Sequence, residues 1–592
     1  MIRTNDPNQL SFIDPLADFG PKRRKKLENS WAHFFRYHVL PEFPVERICS
    51  HFSGFGRPSK ELYSSLGLLV LQQTFDIGDT EALSQLAFNS QWHYALNIVD
   101  KDDDFTYMCE KTLYNTRNIL LKNDLWNTVF ESVTDSFLKL FQVDTDKQRL
   151  DSTHIQSNMK SLGRIGILSN TLHRFLVNLK RQHRPLFDSL STELTDRYLK
   201  KKQLSAFSQI KPSESSKTLK SVANDLYYLI TSFESHQEVQ NMKSFALVQR
   251  VFNEQCELKE TNGFQDHLLE IKPKPAKQVK SDSLQNPSDP DATYDGHKGK
   301  GYQVQIMETC SEKKSEDKPN LITHVAVEPA HCHDSKALEP ALQATEYRGV
   351  KPKELLADSL YGSDENTLNA KQQGVHLVSP TLIAATNTDK LHLDAFLFNG
   401  KGRIKQCPSG KSPLSQQVKQ DIVIAKFEKE QCRICPKRDQ CPVKDQKKTT
   451  VIRYSHKDVR LALRRNYEKT PEFTQKYALR AGVEATMSEY KRITGVGKLR
   501  VRGLISVSFC ATMKALGINI LRSSKAYFAS GNDRIAPLSA RVCNLIADLV
   551  LLFWILSQKV RNKMKTFRQS IGITASNRNY SLCYKSGSEL CF

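Results

Sequence analysis

The chain has 592 residues, with 86 lysines and arginines against 64 aspartates and glutamates, for a formal net charge of +22. That length allows several domains and a sizeable core. An excess of positive charge in so large a chain points to a polyanionic partner, nucleic acid before membrane.

The N-terminus is polar and lacks the apolar core of a signal peptide. The most apolar run, Val542 to Leu556, is too short for an ordinary membrane span and contains Asp548, so it reads as a buried helix and no membrane is expected as a partner. Thirteen cysteines without a secretion signal imply reduced thiols in the cytosol, with metal binding as the option to test. The expected location is cytoplasmic, associated with the nucleoid.

In chain order, residues from about 30 to 140 carry apolar residues at helical spacing, with a break at Gly78-Asp79. Two helices across a tight turn suit DNA binding, although helical hairpins are also ordinary structure. "RLDSTHI", Arg149 to Ile155, is a short β-type run, and helical patterns return from about 165 to 260. "IKPKPAKQVKSDSLQNPSDPDATYDG" is polar and proline-rich and reads as a loop. "GYQVQIMETC" and "LITHVAVEPA" read as successive strands, "HDSKALEPALQATEY" as a helix capped by Asp334, "ELLADS" as a strand and "SDENTLNAKQQG" as a helix. From about 390 to 455, strand-like pieces surround four cysteines, and helical patterns follow.

"YALRAGVEATMSEYK" predicts one helix from Tyr477 to Lys491, with Gly482 its only breaker. At about 100° per residue, Tyr477, Arg480, Glu484 and Lys491 then share one narrow stripe. A charged stripe ordinarily faces water, and the Arg480–Glu484 pair contributes only a few tenths of a kcal/mol.

Three acids lie in three different contexts: Asp151 in the first strand, Asp358 at the end of "ELLAD", and Glu484 on the helix. Such a trio, brought together by a fold, suits phosphoryl transfer with two divalent metals about 3.5–4 Å apart. Mg²⁺ takes oxygen ligands and keeps several waters, so few protein carboxylates are needed. Each acid alone is an ordinary strand-end or turn residue. Their order in a basic chain is what carries weight.

"LDSTHI", "LLADSLYGS" and "YALRAGVEATMSEYK" together resemble the signature blocks of DDE transposases of bacterial insertion sequences. The last block meets that group's Tyr, Arg, Glu, Lys pattern without a gap, and the likeness covers roughly residues 30 to 510. The resemblance implies an α/β fold: an RNase H-like catalytic core with a helical N-terminal domain, a helical insert and a β-rich, cysteine-containing insert. The boundaries drawn on it are a DNA-binding domain at 1–140, the first core strand at 141–160, the helical insert at 161–270, the core continued at 271–390, the cysteine insert at 391–455, the catalytic helix and end of the core at 456–510, and a helical tail at 511–592. It also implies that Asp151, Asp358 and Glu484 hold Mg²⁺ or Mn²⁺, that Tyr477, Arg480 and Lys491 bind DNA phosphate, and that the chain cleaves element ends and joins them to target DNA as a homo-oligomer. A first departure is the stretched gap after Asp151; a second is a C-terminal tail with no matching motif. A DNA-binding protein descended from such an enzyme, and a metal-dependent nuclease without strand transfer, are the alternatives. A zinc-stabilised RNA-binding protein would need no acidic trio.

Cys407, Cys432, Cys435 and Cys441 offer one C-x₂-C and two further thiols, a set that could form a closed structural Zn²⁺ site or remain as reduced thiols. His331, Cys332 and His333 read as a turn at a strand end rather than a metal site.

Overall fold

A computed structural model describes residues 2–9, 19–53, 58–207, 209–262, 267–311, 317–382 and 390–530, with the single positions 16 and 56. Contacts divide the chain into a unit of residues 1–529 and a second unit of residues 530–592. The apolar run from Val542 and most of the expected tail lie outside the described residues.

The first unit is mixed α/β. Its central sheet contains β1 (Lys147–Gln156), β2 (Gly299–Thr309), β3 (Ile322–Pro329), β4 (Glu354–Ala357) and β5 (His376–Val378). The order across the sheet is β3-β2-β1-β4-β5, and a short strand, Thr293–Asp295, also pairs with β2. β2 is antiparallel to both β1 and β3, whereas β1, β4 and β5 are parallel. The alternation of side chains along β1 explains the layering. Leu150 points into a core with Met307, Leu338, Leu342, Tyr361 and Ala370. Arg149 and Asp151 point to the other face, toward Leu479 and Arg480.

The helix Leu504–Ala529 closes that second face. It packs on β3 and on the N-terminal helices Leu62–Thr74 and Leu125–Leu140. Among the described residues it is the one helix long and apolar enough to cross a membrane, by length and composition alone. Its most apolar window is 72% buried inside the protein, as a core helix is. The fully buried Asn519 gives its amide to the carbonyl of Ile322 and accepts from the Ile322 N–H, both at 2.8 Å, which ties the helix to the first residue of β3.

Between β1 and β2 the chain forms helices Arg164–Gln182, Pro212–Ser232 and Lys243–Gln255 around a separate core that includes Phe175, Leu226 and Phe245, followed by the hairpin Cys256–Asn262 and His267–Pro273. Between β5 and the helix His456–Glu468 lies a four-stranded antiparallel sheet, with Ile422–Glu428 paired to both Ser415–Lys419 and Thr449–Ser455. Its core holds Phe396, Val423, Phe427 and Tyr454, and Cys407, Cys432 and Cys441 pack against it.

Two local expectations change. Asp334 does not cap its helix: His333 is the N-cap of the short turn Asp334–Lys336, its ring accepting from the Ser335 N–H. The Asp334 carboxylate turns inward instead, to the Gln305 amide at 2.9 Å. The stretch from Tyr477 to Lys491 is not one helix. It divides into Pro471–Ala478 and Ala481–Thr494, so Tyr477 and Glu484 lie on different helices. Gly482 N–H bonds back only three residues, to the Leu479 carbonyl, and Arg149 donates to that same oxygen at 2.8 Å. A side chain entering the helical ladder beside a glycine is a recognised cause of such a kink.

Candidate functional site

Strand register brings the first two acids together. Leu150 pairs with Ala357 in the parallel β1–β4 ladder, and Asp151 and Asp358 are the next residues along each chain. Neighbouring strands lie about 4.8 Å apart, so the backbones of the two acids are adjacent. The Asp358 carboxylate also accepts from the Leu360 N–H at 2.8 Å, which fixes the turn leaving β4.

Glu484 arrives from the kinked helix, and Arg480 connects it to the strand. One guanidinium nitrogen of Arg480 donates to Asp151 at 2.9 Å and the other to Glu484 at 3.2 Å. The side chains of Asp151 and Arg480 are 14% and 16% exposed, while that of Glu484 is 67% exposed. Arg480 Nε is buried and makes no hydrogen bond.

Burial pushes the Asp151 acid up to about 6; Arg480 and the Ser152 N–H work against that shift, and Asp358 and Asp334 reinforce it. Tyr477 stacks on Phe473, with centroids 5.4 Å apart and planes 12° apart. Burial raises its phenol, with Arg480 opposing and Asp358 and Asp151 adding to the shift. Lys491 lies two helical turns beyond Glu484, about 10 Å along the axis. Its ammonium is lowered by partial burial and by Lys298. Both ring nitrogens of His154, on β1, are buried and unpartnered. Lys298 Nζ donates to Ser152 at 3.4 Å and lies 3.7 Å from Asp334.

Asp151, Asp358, Glu484, Tyr477 and Arg480 therefore interact as one group, with Lys491 at its margin. Among the described residues no three His, Cys, Asp or Glu side chains converge as a preformed metal-binding group. The donor set nevertheless fits a hard cation. Asp151 and Asp358 stand side by side on adjacent interior strands, and the charge now between Asp151 and Glu484 is the Arg480 guanidinium.

Cys407, Cys432, Cys435 and Cys441, beside the small sheet, are free thiols, and among the described residues no three of them converge as a metal-binding group. Burial raises the Cys441 thiol, and Cys407 and Cys435 add to it; burial likewise raises Cys432, with Cys441 and Cys407 contributing. Cys435 Sγ lies 3.1 Å from Ser409 Oγ.

Residues 406–523 match the family model described as Transposase DDE domain. The match spans the cysteine-bearing sheet, both halves of the kinked helix and most of the closing helix. It contains Glu484, Arg480, Tyr477 and Lys491 and begins after Asp151 and Asp358. No curated protein matches the chain. Among solved structures, the chain aligns with one described as "Cryo-EM structure of piggyBac transposase synaptic complex with hairpin DNA (SNHP)", at 8% identity over 90% of this chain and 80% of that one, with a TM-score of 0.27. A likeness of that degree says nothing about activity.

Charge pattern alone does not single out Arg149, Glu308 or Gly482, which support the site from inside. Arg149 has one sequence signal, a cation two residues before Asp151 on the same face of β1. Glu308 gives no local signal, because its importance comes from standing opposite Arg149 in the β1–β2 pair.

Proposed function

We propose that this chain is a DDE transposase that binds double-stranded DNA at the ends of its element, cleaves there, and joins the ends to target DNA. The observation that carries the reading is the Arg480 bridge, which links Asp151 on the strand to Glu484 on the helix; Arg480 and Glu484 lie inside the stretch that matches a transposase DDE domain, and Asp151 lies before it. The sheet order β3-β2-β1-β4-β5, with β2 antiparallel and β4 and β5 parallel to β1, supports an RNase H-like core interrupted by a helical insert and a cysteine-bearing insert.

On this reading Asp151, Asp358 and Glu484 hold Mg²⁺ or Mn²⁺. These residues would hold the ion, and the chemistry it would supply when bound is activation of a water or 3′-hydroxyl and charge stabilisation at the leaving oxygen. The protein side chains do the rest. Arg480 neutralises Asp151 in the free chain and turns its planar fork to a DNA phosphate when DNA arrives. Tyr477, held by Phe473, presents its phenol to the same backbone, and Lys491 adds a point charge further along the groove. The basic run Lys22–Lys26, which forms the helix Pro21–Glu28, adds non-specific affinity. Oligomerisation on DNA belongs to the same reading. For Cys407, Cys432, Cys435 and Cys441 the reading adds a structural Zn²⁺, and elemental analysis of freshly reduced protein tests it.

The deciding experiment uses a duplex carrying one end of the element. Wild-type protein should nick it in Mg²⁺, leave a 3′-hydroxyl and transfer that end to a plasmid. Binding that falls steeply with salt, without cleavage, would favour the inactive DNA-binding alternative. Cleavage without transfer would favour the nuclease.

A further inference from the structure

Behind the acids lies a buried polar assembly whose hub is Glu308. Its side chain is 0% exposed. The carboxylate accepts from Arg149 Nε at 2.7 Å, Arg522 Nη1 at 3.0 Å and Thr486 Oγ1 at 2.8 Å. Arg149 gives its other end to the Leu479 carbonyl at the kink. Arg522, from the closing helix, also donates to Thr486 and to Glu489.

The chain positions matter more than the bond count. Arg149 precedes Asp151 by two residues on one face of β1. Thr486 follows Glu484 by two residues, and Leu479 lies at the kink that starts its helix. Glu308 thus joins the base of one acid to the base of the other, through groups that are mostly buried. A β-carbon on Gly482 would lie 2.0 Å from Arg149 Nη1, so the close approach of guanidinium and helix requires glycine there.

Stability alone is a weak reason for such an assembly. Buried ion pairs recover little more than their desolvation cost, and well-packed apolar residues of similar volume often do as well. What charged, directional bonds supply is a fixed distance and orientation.

We infer that Glu308 is a positioning residue for the reaction: with Arg149, Arg522 and Gly482 it sets where Glu484 stands relative to Asp151. The inference rests on the metal-binding reading of those two acids. It concerns a residue that touches neither metal nor DNA.

The test uses the full chain and an end-bearing duplex at saturating concentration, with cleavage rate measured against Mg²⁺ concentration. Glu308→Gln keeps the shape and removes the charge. Gly482→Ala keeps every charge and displaces Arg149. Both should leave duplex affinity unchanged, lower the cleavage rate about 10- to 100-fold, and raise the Mg²⁺ needed for half-maximal rate by about tenfold. Excess Mg²⁺ should restore part of the rate. A merely structural role predicts fewer active molecules with the wild-type Mg²⁺ requirement, and that result overturns the inference. If circular dichroism finds both variants unfolded, Thr486→Val decides, since it keeps every charge and removes only the hydroxyl's bonds to Glu308 and Arg522; an unchanged Mg²⁺ requirement there also overturns it. Glu484→Gln runs alongside. Wild-type cleavage by Glu484→Gln would remove the parent reading, whereas an inactive Glu484→Gln beside a Glu308→Gln of wild-type Mg²⁺ dependence would remove only the role of Glu308.

Discussion

Asp151 and Glu484 bond to the same guanidinium from opposite kinds of ground. Asp151 stands within a sheet, 14% exposed, its neighbours fixed by strand register on both sides. Glu484 stands one turn past a helix kink, 67% exposed, held from below by side chains rather than by a ladder. The rigidity of the strand side comes with desolvation, which lifts the Asp151 acid to about 6. The helix side keeps its carboxylate in water and depends on Arg149, Glu308 and Gly482 for its position. Within the proposed function, one acid is held by strand register and desolvated, and the other is held by buried side chains and well solvated.

The largest effect should come from removing any one of the three acids. Asp151→Asn, Asp358→Asn and Glu484→Gln should each lower end cleavage by about a thousandfold or more, since metal contributes several kcal/mol to such transition states. Duplex binding, measured by mobility shift, should survive in all three. Full activity in Glu484→Gln alone would break the comparison, leaving the two strand acids as the whole site.

Arg480, the shared partner, comes next. Arg480→Ala should lower cleavage and strand transfer about tenfold or more, because a charge-assisted phosphate contact and the counter-charge of Asp151 are both lost. Arg480→Lys keeps the charge but not the fork, and should remain clearly impaired. Equal, wild-type rates in both variants would return Arg480 to an ordinary surface pair.

The third effect follows from the raised Asp151 acid. Its folded value, about 6, lies above the unfolded value of about 3.8, so the folded chain holds this proton more tightly. The associated stability is fully present below the unfolded value and is lost as pH rises through the folded one. Asp151→Asn should therefore gain stability relative to wild type between pH 4 and pH 7, by about 2–3 kcal/mol at most, read from paired denaturant melts. In metal-free melts Arg480→Ala should move that loss of stability to higher pH, because Arg480 is what opposes the shift.

The smallest effect belongs to Tyr477→Phe. It keeps the stack on Phe473 and loses only the phenolic O–H, so a change of about threefold to tenfold in cleavage, with unchanged melting, fits one lost hydrogen bond.

Much of the site is legible in the chain because its signals are local. Asp151 sits in an alternating β run, and Asp358 ends an apolar strand at a turn. The central strands are likewise readable from β-branched runs bounded by turn residues. The kink is not readable. Tyr477 to Lys491 has helical composition throughout, and what bends it is Arg149, more than three hundred residues earlier. Asp334 departs from its expected role for a related reason: a good N-cap type beside a helix is drawn inward by Gln305 from another strand. The closing helix passes for a tail by position, and only its packing against β3 and the N-terminal helices makes it core. Long-range partners of this kind leave no mark on local periodicity.

The central claim, that Asp151 and Glu484 hold one metal site from two differently built supports, is tested most directly by Mn²⁺ titration. Free Mn²⁺ is followed by electron paramagnetic resonance at about pH 7.5 with duplex present, for wild type, Asp151→Asn, Glu484→Gln and the double variant. The expected result is clear Mn²⁺ binding by wild type, weakening in each single variant, and a double variant scarcely worse than either single one, as for ligands of one site. Mn²⁺ binding at wild-type strength in both single variants would contradict the claim.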